Sequence, residues 1–401
     1  MRFPEFSGEW EKCKVSDLLD FYSTNSLAWE QLEYGVRGLK NLHYGLIHNG
    51  LSTCVDVDAA DLPTIKESCA PKKYTLCKEG DVAFADASED TNDVAKCVEF
   101  TNCAENSIVC GLHTIHGRDK SNKTVIGFKG YAFSAQSFRH QIRRLAQGTK
   151  IYSINSKNFS ECYIGIPSKE EQSKIATLLS LIDQRIETQK KIIEKYESLI
   201  RGLTDTAFNC KSSIPLINFS NLYKDAGEGG TPSTSNSEYY DGGTIPFIKI
   251  DDIMTKYLVT HKDCITEQGM QKSSAWLIPS GSVIYSNGAT IGSIAINTYP
   301  VCTKQGILGI IPKDNVDVEY LYYFMTSVYF RKEIHRIITE GTMKTAYLKD
   351  INKILCPLPD LATQRSIANK LASMTKKIEL DKRTLSLLHT QKKYLLSHLF
   401  I

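Results

Sequence analysis

Pro167-Ser168-Lys169-Glu170-Glu171-Gln172-Ser173-Lys174-Ile175-Ala176-Thr177-Leu178-Leu179 is the stretch on which the fold turns. The residue before a proline avoids the helical region, so Ile166-Pro167 is expected to be extended. Ser168 is a natural N-cap, and Glu171 three residues on completes a capping box. Apolar residues then recur at spacings of four and three: Ile175, Leu179, Ile182, Ile186, Ile193, Tyr196, Ile200 and Leu203. A stripe of this kind held over four heptads predicts a coiled-coil helix rather than an ordinary surface helix. Gln189 is its polar interruption, and Asn209 to Ser213 reads as the exit loop.

The same plan returns 192 residues later. Pro167, Gln172, Ile175, Ala176, Leu179 and Ile186 match Pro359, Gln364, Ile367, Ala368, Leu371 and Ile378. Asp360 serves as N-cap, and the second stripe runs Ile367, Leu371, Met374, Ile378, Leu385, Leu388, Leu395, Leu399, interrupted by Asp381. The repeat extends upstream, where Phe138-Arg139, Ile142 and Arg144 recur as Phe330-Arg331, Ile334 and Arg336. A polar residue at one seam position commonly fixes register. Antiparallel pairing of the two helices, aligned by a Gln189–Asp381 layer, is therefore expected over packing of each helix on its own domain. Residues 169–203 would span about 50 Å at about 1.5 Å per residue, or ~15 base pairs of B-DNA. Lys174, Asp183, Arg185, Glu187, Lys190, Glu194 and Lys195 alternate in sign, which marks a solvated face rather than a DNA-binding stripe.

The bulk properties fit a soluble globular chain. Of 401 residues, 42% are hydrophobic and 23% charged, which with the length predicts two or three domains. There is no apolar run long enough to span a membrane, and the N-terminus lacks the apolar region of a signal peptide. The twelve cysteines show no CxxC pair and no zinc-finger spacing. Reduced thiols in the cytoplasm are expected, with no metal site, although Cys97, Cys103 and Cys110 lie close together. Net charge is only +3, so any nucleic-acid partner would need phosphate-neutralising charge from elsewhere.

Two globular segments flank the first helix, and both read as mixed α and β. Strands are predicted at Asp81–Ala85, Ser107–Ile115, Thr244–Ile250 and Gly281–Tyr285, and helices at Gln136–Leu145 and Leu321–Ile337. Turn-rich loops fall at Gly227–Ser233 and Ser286–Thr290. The expected fold class is α+β: two mixed domains separated by two long helices that pair as an antiparallel coiled coil, with a pseudo-twofold internal repeat. The boundaries are 1–166, 167–210, 211–358 and 359–401.

Several motifs carry a family resemblance. Arg2-Phe3-Pro4-Glu5-Phe6 with Trp10, Gly80-Asp81-Val82-Ala83-Phe84-Ala85-Asp86-Ala87-Ser88-Glu89-Asp90, and Gly111-Leu112-His113-Thr114 form one set. Gly229-Gly230-Thr231-Pro232-Ser233, Tyr239, Ile245-Pro246-Phe247, Asn287-Gly288-Ala289-Thr290-Ile291-Gly292 and Gly341-Thr342-Met343-Lys344 form another. With Pro167, Glu171-Gln172 and Ile175-Ala176, they make the chain resemble the specificity subunit of a type I restriction–modification system. Two departures stand out. Thr363 replaces the glutamate at the second helix start, and Leu46 stands in His43-Tyr44-Gly45-Leu46-Ile47-His48 where the family pattern has aspartate.

The resemblance implies two target recognition domains, each reading half of a bipartite, asymmetric double-stranded DNA sequence. The helices set the gap and dock two adenine methyltransferase subunits, and restriction/translocase subunits join for cleavage. S-adenosylmethionine and ATP belong to those partners, and the chain itself needs no cofactor. Independently, the sequence has no [ND]-P-P-[YF] methylation motif and no phosphate-binding GxxxxGK[ST], so a non-catalytic role is expected.

Base edges are read by polar side chains, whereas phosphate contacts mainly position. The candidate DNA contacts are Tyr44, His48, Ser88, His113, Thr114 and Arg118 in the first segment. In the second they are Thr231, Ser233, Lys249, Asn287, Thr290, Lys304, Gln305 and Lys344. Each has an alternative role as a turn residue bonding its own loop. His113, beside Leu112 and near Ile115, reads more readily as a core histidine. Asp86, Glu89 and Asp90 have the chemistry to accept from a cytosine amino group, but an acidic loop more often caps backbone amides. A heptad scaffold without DNA contact and an enzyme with a site in one segment are the competing readings.

Overall fold

The computed structural model describes residues 2–103, 107–208, 214–288, 290–338 and 344–400. The chain forms two compact units, Met1–Lys190 with Arg383–Ile401, and Lys191–Lys382.

In the first unit a central sheet is built from β1 (Leu19–Tyr22), β2 (Cys54–Asp56), β3 (Val82–Ala85), β4 (Cys97–Asn102) and β5 (Thr114–Asp119). Its order is β1-β5-β3-β4-β2, with β4 and β2 parallel and every other neighbour antiparallel. In the second unit the sheet is β6 (Tyr223–Glu228), β7 (Tyr257–Leu258), β8 (Val283–Ser286), β9 (Ile294–Asn297) and β10 (Ile307–Pro312). The order is β6-β10-β8-β9-β7, again with one parallel pair, β9 with β7. Strand for strand the two orders are the same. The central strands β3 and β8 are buried along their whole length, as continuous rather than alternating apolar runs require.

Matching accessory parts complete each unit. Glu11–Lys14 pairs with Tyr163–Ile166, and Leu216–Asn218 with Leu355–Pro357, both antiparallel. A second, smaller sheet contains one parallel pair in each unit, Lys40–Leu42 with Ile108–Cys110 and Ile245–Ile248 with Cys302–Thr303. Helix pairs Phe128–Ser134/Gln136–Leu145 and Val318–Thr326/Val328–Ile337 occupy equivalent chain positions.

The long helices are α1 (Lys169–Ala207) and α2 (Leu361–His398). Each unit takes the start of one and the end of the other, so they pair antiparallel. In the first unit Ile175, Leu179, Ile182 and Ile186 of α1 share a core with Leu388 and Leu395 of α2 and with Leu399 just beyond its end. Lys392 is ion-paired with Asp183 at 2.6 Å. In the second, Ala368 and Leu371 of α2 are buried with Ile200 and Phe208 packed into the same core, and Lys382 bridges to Glu197 at 2.8 Å. The expected antiparallel pairing is present, and so is the packing of each helix on its own domain that it was set against. Each seam also closes onto its own globular core, since Ile175 and Leu179 belong to the cluster of Phe128, Phe133 and Phe138.

The helix starts follow the sequence signals. The Ser168 hydroxyl accepts from Glu171 N at 3.3 Å, and the Asp360 carboxylate accepts from Thr363 N at 2.9 Å. The capping box is not closed, because the buried Glu171 side chain is taken by Arg2 in a bidentate pair at 2.8 and 2.6 Å. The next residue does more. Gln172 Oε1 accepts from Val125 N at 2.9 Å, and its Nε2 donates to the carbonyls of Lys123 and Pro167 at 3.0 and 2.9 Å. Gln364 repeats this on Asp317 N, Asn315 O and Pro359 O at 2.9, 3.0 and 2.8 Å.

Several expectations are corrected. The strand predicted over Ser107–Ile115 is two strands, Ile108–Cys110 and β5, separated by a turn in which His113 has φ of 54°. The helix predicted over Leu321–Ile337 breaks at Ser327, which is extended and whose hydroxyl caps the second piece by accepting from Phe330 N at 3.1 Å. Strand β6 runs on to Glu228, so the turn-rich loop starts at Gly229 rather than Gly227. Leu203, counted in the first stripe, is 39% exposed. Asp381 is buried and paired with Lys377 at 2.6 Å, and Gln189 Nε2 is buried without a partner among the described residues. The predicted exit loop Asn209–Ser213 and the motif residues Ala289 and Gly341–Met343 lie outside the described residues.

Replacing Gln172 or Gln364 with alanine leaves three backbone groups without their partner. The expected loss is at least about 2 kcal/mol, at roughly 1–3 kcal/mol per unmet buried group. Hydrogen exchange should accelerate selectively at Val125 N–H in Gln172→Ala and at Asp317 N–H in Gln364→Ala. Unchanged protection there would show that the glutamines do not clamp these loops.

Candidate nucleic-acid interface

In the first unit, a cluster of side chains forms where three segments meet. Residues Tyr44–His48 make one short helix, capped by His43 Nδ1, which accepts from Gly45 N at 3.2 Å. Burial, reinforced by nearby His113, pushes the His43 imidazole below its ordinary pKa, in keeping with the neutral form that an accepting Nδ1 requires. The second segment is the turn Gly111–His113, and the third runs from Asp86 to Ser88. Asp86 N donates to His113 O at 3.1 Å, and His48 Nε2 contacts Ala87 O at 2.9 Å. The Tyr44 ring lies edge-on to His113 at 5.2 Å and to His48 at 5.9 Å.

Tyr44, His48, Ser88 and His113 are thus brought together. His113, read from sequence as a core residue, has its side chain 50% exposed and bonded to Asp86 at 3.2 Å. Its backbone is left-handed, with φ of 54°. Thr114 and Arg118 face other tasks. Thr114 is buried and donates to Gly111 O at 2.6 Å, closing the turn. Arg118 forks onto Asp81 at 2.8 and 2.7 Å and lies over the Tyr22 ring at 4.7 Å. Burial alone would raise the Asp81 carboxyl, but hydrogen bonds from Arg118 and His116 hold it below its ordinary range. Asp90 accepts from Asn92 N at 2.8 Å, the amide-capping role expected of this acidic loop.

Sequence reasoning missed Trp29. Its ring, 42% exposed, lies 4.3 Å from His43, which in turn lies 4.7 Å from Tyr44. This short aromatic ladder joins residues distant in the chain, and only the aromatic character of His43-Tyr44 hinted at it.

The second unit builds a site in the same places. The turn Lys304–Gly306 joins a small-sheet strand to β10, as Gly111–His113 joins one to β5. Asn287 follows β8 as Asp86 follows β3, and its N–H donates to Gly306 O at 3.0 Å, matching Asp86 to His113. Thr231 Oγ1 accepts from Gln305 N at 3.4 Å, and Glu228 accepts from Gly306 N at 2.7 Å. Thr231, Lys304 and Gln305 therefore converge, with Lys304 and Gln305 exposed.

The remaining candidates divide. Asn287 is buried, and its Nδ2 donates to Ala346 O at 3.3 Å, tying the loop after β8 to the segment that begins at Lys344. Thr290 and Lys344 are exposed beside it. Lys249 is paired with Asp263 at 2.8 Å, and the Ser233 hydroxyl meets that of Ser235 at 2.8 Å. The glycines explain the closeness of these loops. A Cβ on Gly229 would sit 2.1 Å from Thr303 O, and one on Gly230 would sit 2.3 Å from Ser274 Oγ.

A third cluster lies beneath the first unit's turn. The Cys77 and Cys110 thiols are 3.5 Å apart, and His116 lies with them. Cys110 thus groups with these two rather than with its sequence neighbours Cys97 and Cys103. No helix among the described residues is long and apolar enough to cross a membrane.

The model of the type I restriction modification DNA specificity domain family matches residues 55–198 and 224–389. The chain is 36% identical over 169 residues to the type I restriction enzyme MjaIX specificity subunit of Methanocaldococcus jannaschii, covering 40% of this chain. That match spans only 38% of the relative's own length. The putative MjaX specificity subunit of the same organism is 22% identical over 95% of this chain and 97% of its own. The crystal structure of a type I restriction-modification system S subunit from M. genitalium superposes over 100% of this chain and 99% of its own. Its TM-score is 0.60 at 18% identity, a likeness of fold.

Gly229→Ala should force the Thr231 loop off the Lys304–Gly306 turn and cost on the order of 1–3 kcal/mol through overpacking. Gly202→Ala, in α1 with nothing within 4 Å of the added Cβ, should stabilise by up to about 1 kcal/mol. Thermal unfolding of the two variants checks the contrast, and equal melting temperatures would refute the close-approach account.

Proposed function

The chain belongs to the type I restriction modification DNA specificity family, and from that premise we propose that it is the DNA-reading subunit of a restriction–modification complex. One observation supports this reading above the rest. Two units with the same strand order present turns at equivalent positions, but the turns carry different side chains: Tyr44, His48, Ser88 and His113 in one, Thr231, Lys304 and Gln305 in the other. One scaffold with two unlike sets of polar tips suits an asymmetric, bipartite DNA sequence.

Lys304 and Gln305 have the donor sets that read guanine and adenine edges, and His113 and Tyr44 offer polar groups on rigid rings. Thr231, Thr290, Ser233 and Lys344 flank the second reader. Thr114, Arg118 and Lys249 act one step back, because their polar atoms are already engaged within the protein, and Asn287 does so because it is buried with its Nδ2 on Ala346 O.

The paired helices α1 and α2 set the unspecified gap and offer the docking surface for two adenine methyltransferase subunits, which bring S-adenosylmethionine. Restriction/translocase subunits bring ATP. The chain's own role is recognition rather than catalysis. Its small net charge of +3 leaves much of the phosphate neutralisation to those partners.

The test is the adenine methylome of a host expressing the chain with a cognate methyltransferase. A split motif with a fixed gap is expected, absent without the chain. Lys304→Ala with Gln305→Ala should relax one half-motif, and Tyr44→Ala with His113→Ala the other, each contact being worth about 1–3 kcal/mol of discrimination. Removing seven residues from each long helix should shorten the gap by about 10 Å, or ~3 base pairs. Methylation at an unchanged or continuous motif would overturn the reading in favour of a scaffold.

A further inference from the structure

We propose that Cys77, Cys110 and His116 form a buried zinc site that pins the turn carrying His113. All three residues are at most 6% exposed. One ligand atom from each lies within 4.8 Å of the other two.

The distances suit a metal better than a disulfide. The two sulfurs are 3.5 Å apart. A disulfide requires about 2.05 Å, whereas two thiolates on a tetrahedral zinc with bonds of about 2.3 Å stand about 3.8 Å apart. Adjustment of a few tenths of an ångström therefore closes the site.

The histidine is the independent observation. Its Nε2 is held by Asp81 at 2.7 Å, and its Nδ1 is buried with the Cys77 thiol as its one polar neighbour and no well-formed hydrogen bond among the described residues. A buried ring nitrogen without a well-formed bond costs free energy, and coordination would meet it. A carboxylate on the far nitrogen is the arrangement that orients metal-binding histidines.

Charge also balances. Two thiolates neutralise a zinc ion, and Asp81 is neutralised by Arg118, which grips both its oxygens at 2.8 and 2.7 Å. No net charge is left in the interior, as burial demands. Cys103 packs on the edge of the same apolar cluster but does not join the three-residue group.

The topology gives the site a purpose. Cys77 precedes β3 and its N–H donates to Ile108 O at 2.9 Å. Cys110 ends the strand before the Gly111–His113 turn, and His116 lies in β5 just after it. Zinc would tie both ends of the turn to a third segment. That it thereby fixes a DNA-reading tip rests on the function proposed above, whereas the metal site itself does not.

The test uses the full chain. Zinc is measured in protein purified without chelator, and cobalt is titrated into chelator-treated protein. One zinc per chain and thiolate-to-cobalt charge-transfer bands with a tetrahedral spectrum are expected. Cys77→Ser and Cys110→Ser should weaken cobalt binding at least tenfold, and Cys162→Ser, at another buried thiol, should change nothing. Because the first two variants could misfold, alkylation of the wild-type thiols is mapped by mass spectrometry with and without zinc. Selective protection of Cys77 and Cys110 supports the site. Absence of bound metal with equal alkylation in both conditions overturns it, as does a Cys77–Cys110 disulfide in the purified chain. These readouts do not involve DNA, so they stand apart from failure of the methylation experiment.

Discussion

A buried primary amide is the joint on which each half of this molecule depends. The side chains of Gln172 and Gln364 each accept from one backbone N–H and donate to two backbone carbonyls. One carbonyl belongs to the proline that opens the helix, and the other two groups belong to a loop of the globular unit. Glutamine is suited to this because it is both acceptor and double donor on a stem long enough to reach. Glutamate could not donate to the carbonyls, and a hydrophobic residue would strand all three groups. The helix is thereby fixed in direction relative to the sheet it leaves.

Beyond the joints, the units show which constraints survive divergence. Strand order, the one parallel pair and the edge ladders are the same in both. They are set by where each chain segment must lie to cover β3 or β8, and many apolar sequences meet that demand. The tips are free of it. His113 at φ 54° and Gly306 at φ 85° solve the same problem, a tight return into the last strand of the central sheet, with different chemistry. One turn keeps a side chain at the strained position and the other uses glycine and displays its neighbours Lys304 and Gln305.

This division explains what could be read from the sequence. The helices, their caps and their stripes were legible because helical periodicity and N-cap chemistry are local. Even Gln172 and Gln364 were visible as a matched pair, although their partners were not. The breaks at Ser327 and at Gly111–His113 were hidden, because apolar content continued across them and backbone angles leave no mark in composition. The turns of each unit were marked by their loop residues, but which side chains face outward was not. Arg118 and Asn287 have the residue types of DNA contacts, yet one is claimed by Asp81 and the other by Ala346. Those partners lie 37 and 59 residues away, beyond any motif. The Cys77, Cys110 and His116 cluster escaped for the same reason, as its spacing follows the sheet order rather than a zinc-finger pattern.

The modest charge of the chain follows from the same economy. A reader that bound DNA through its own phosphate contacts would hold nonspecific sites nearly as well, because counterion release does not depend on sequence. Two of the flanking cations are engaged within the protein, Lys249 with Asp263 and Arg118 with Asp81. On the function proposed above, discrimination per contact would be large relative to total affinity, and full affinity would come only with the surface that partners add. Such a chain gains little from becoming more basic, since added lysines would strengthen every site alike and erode the difference between them.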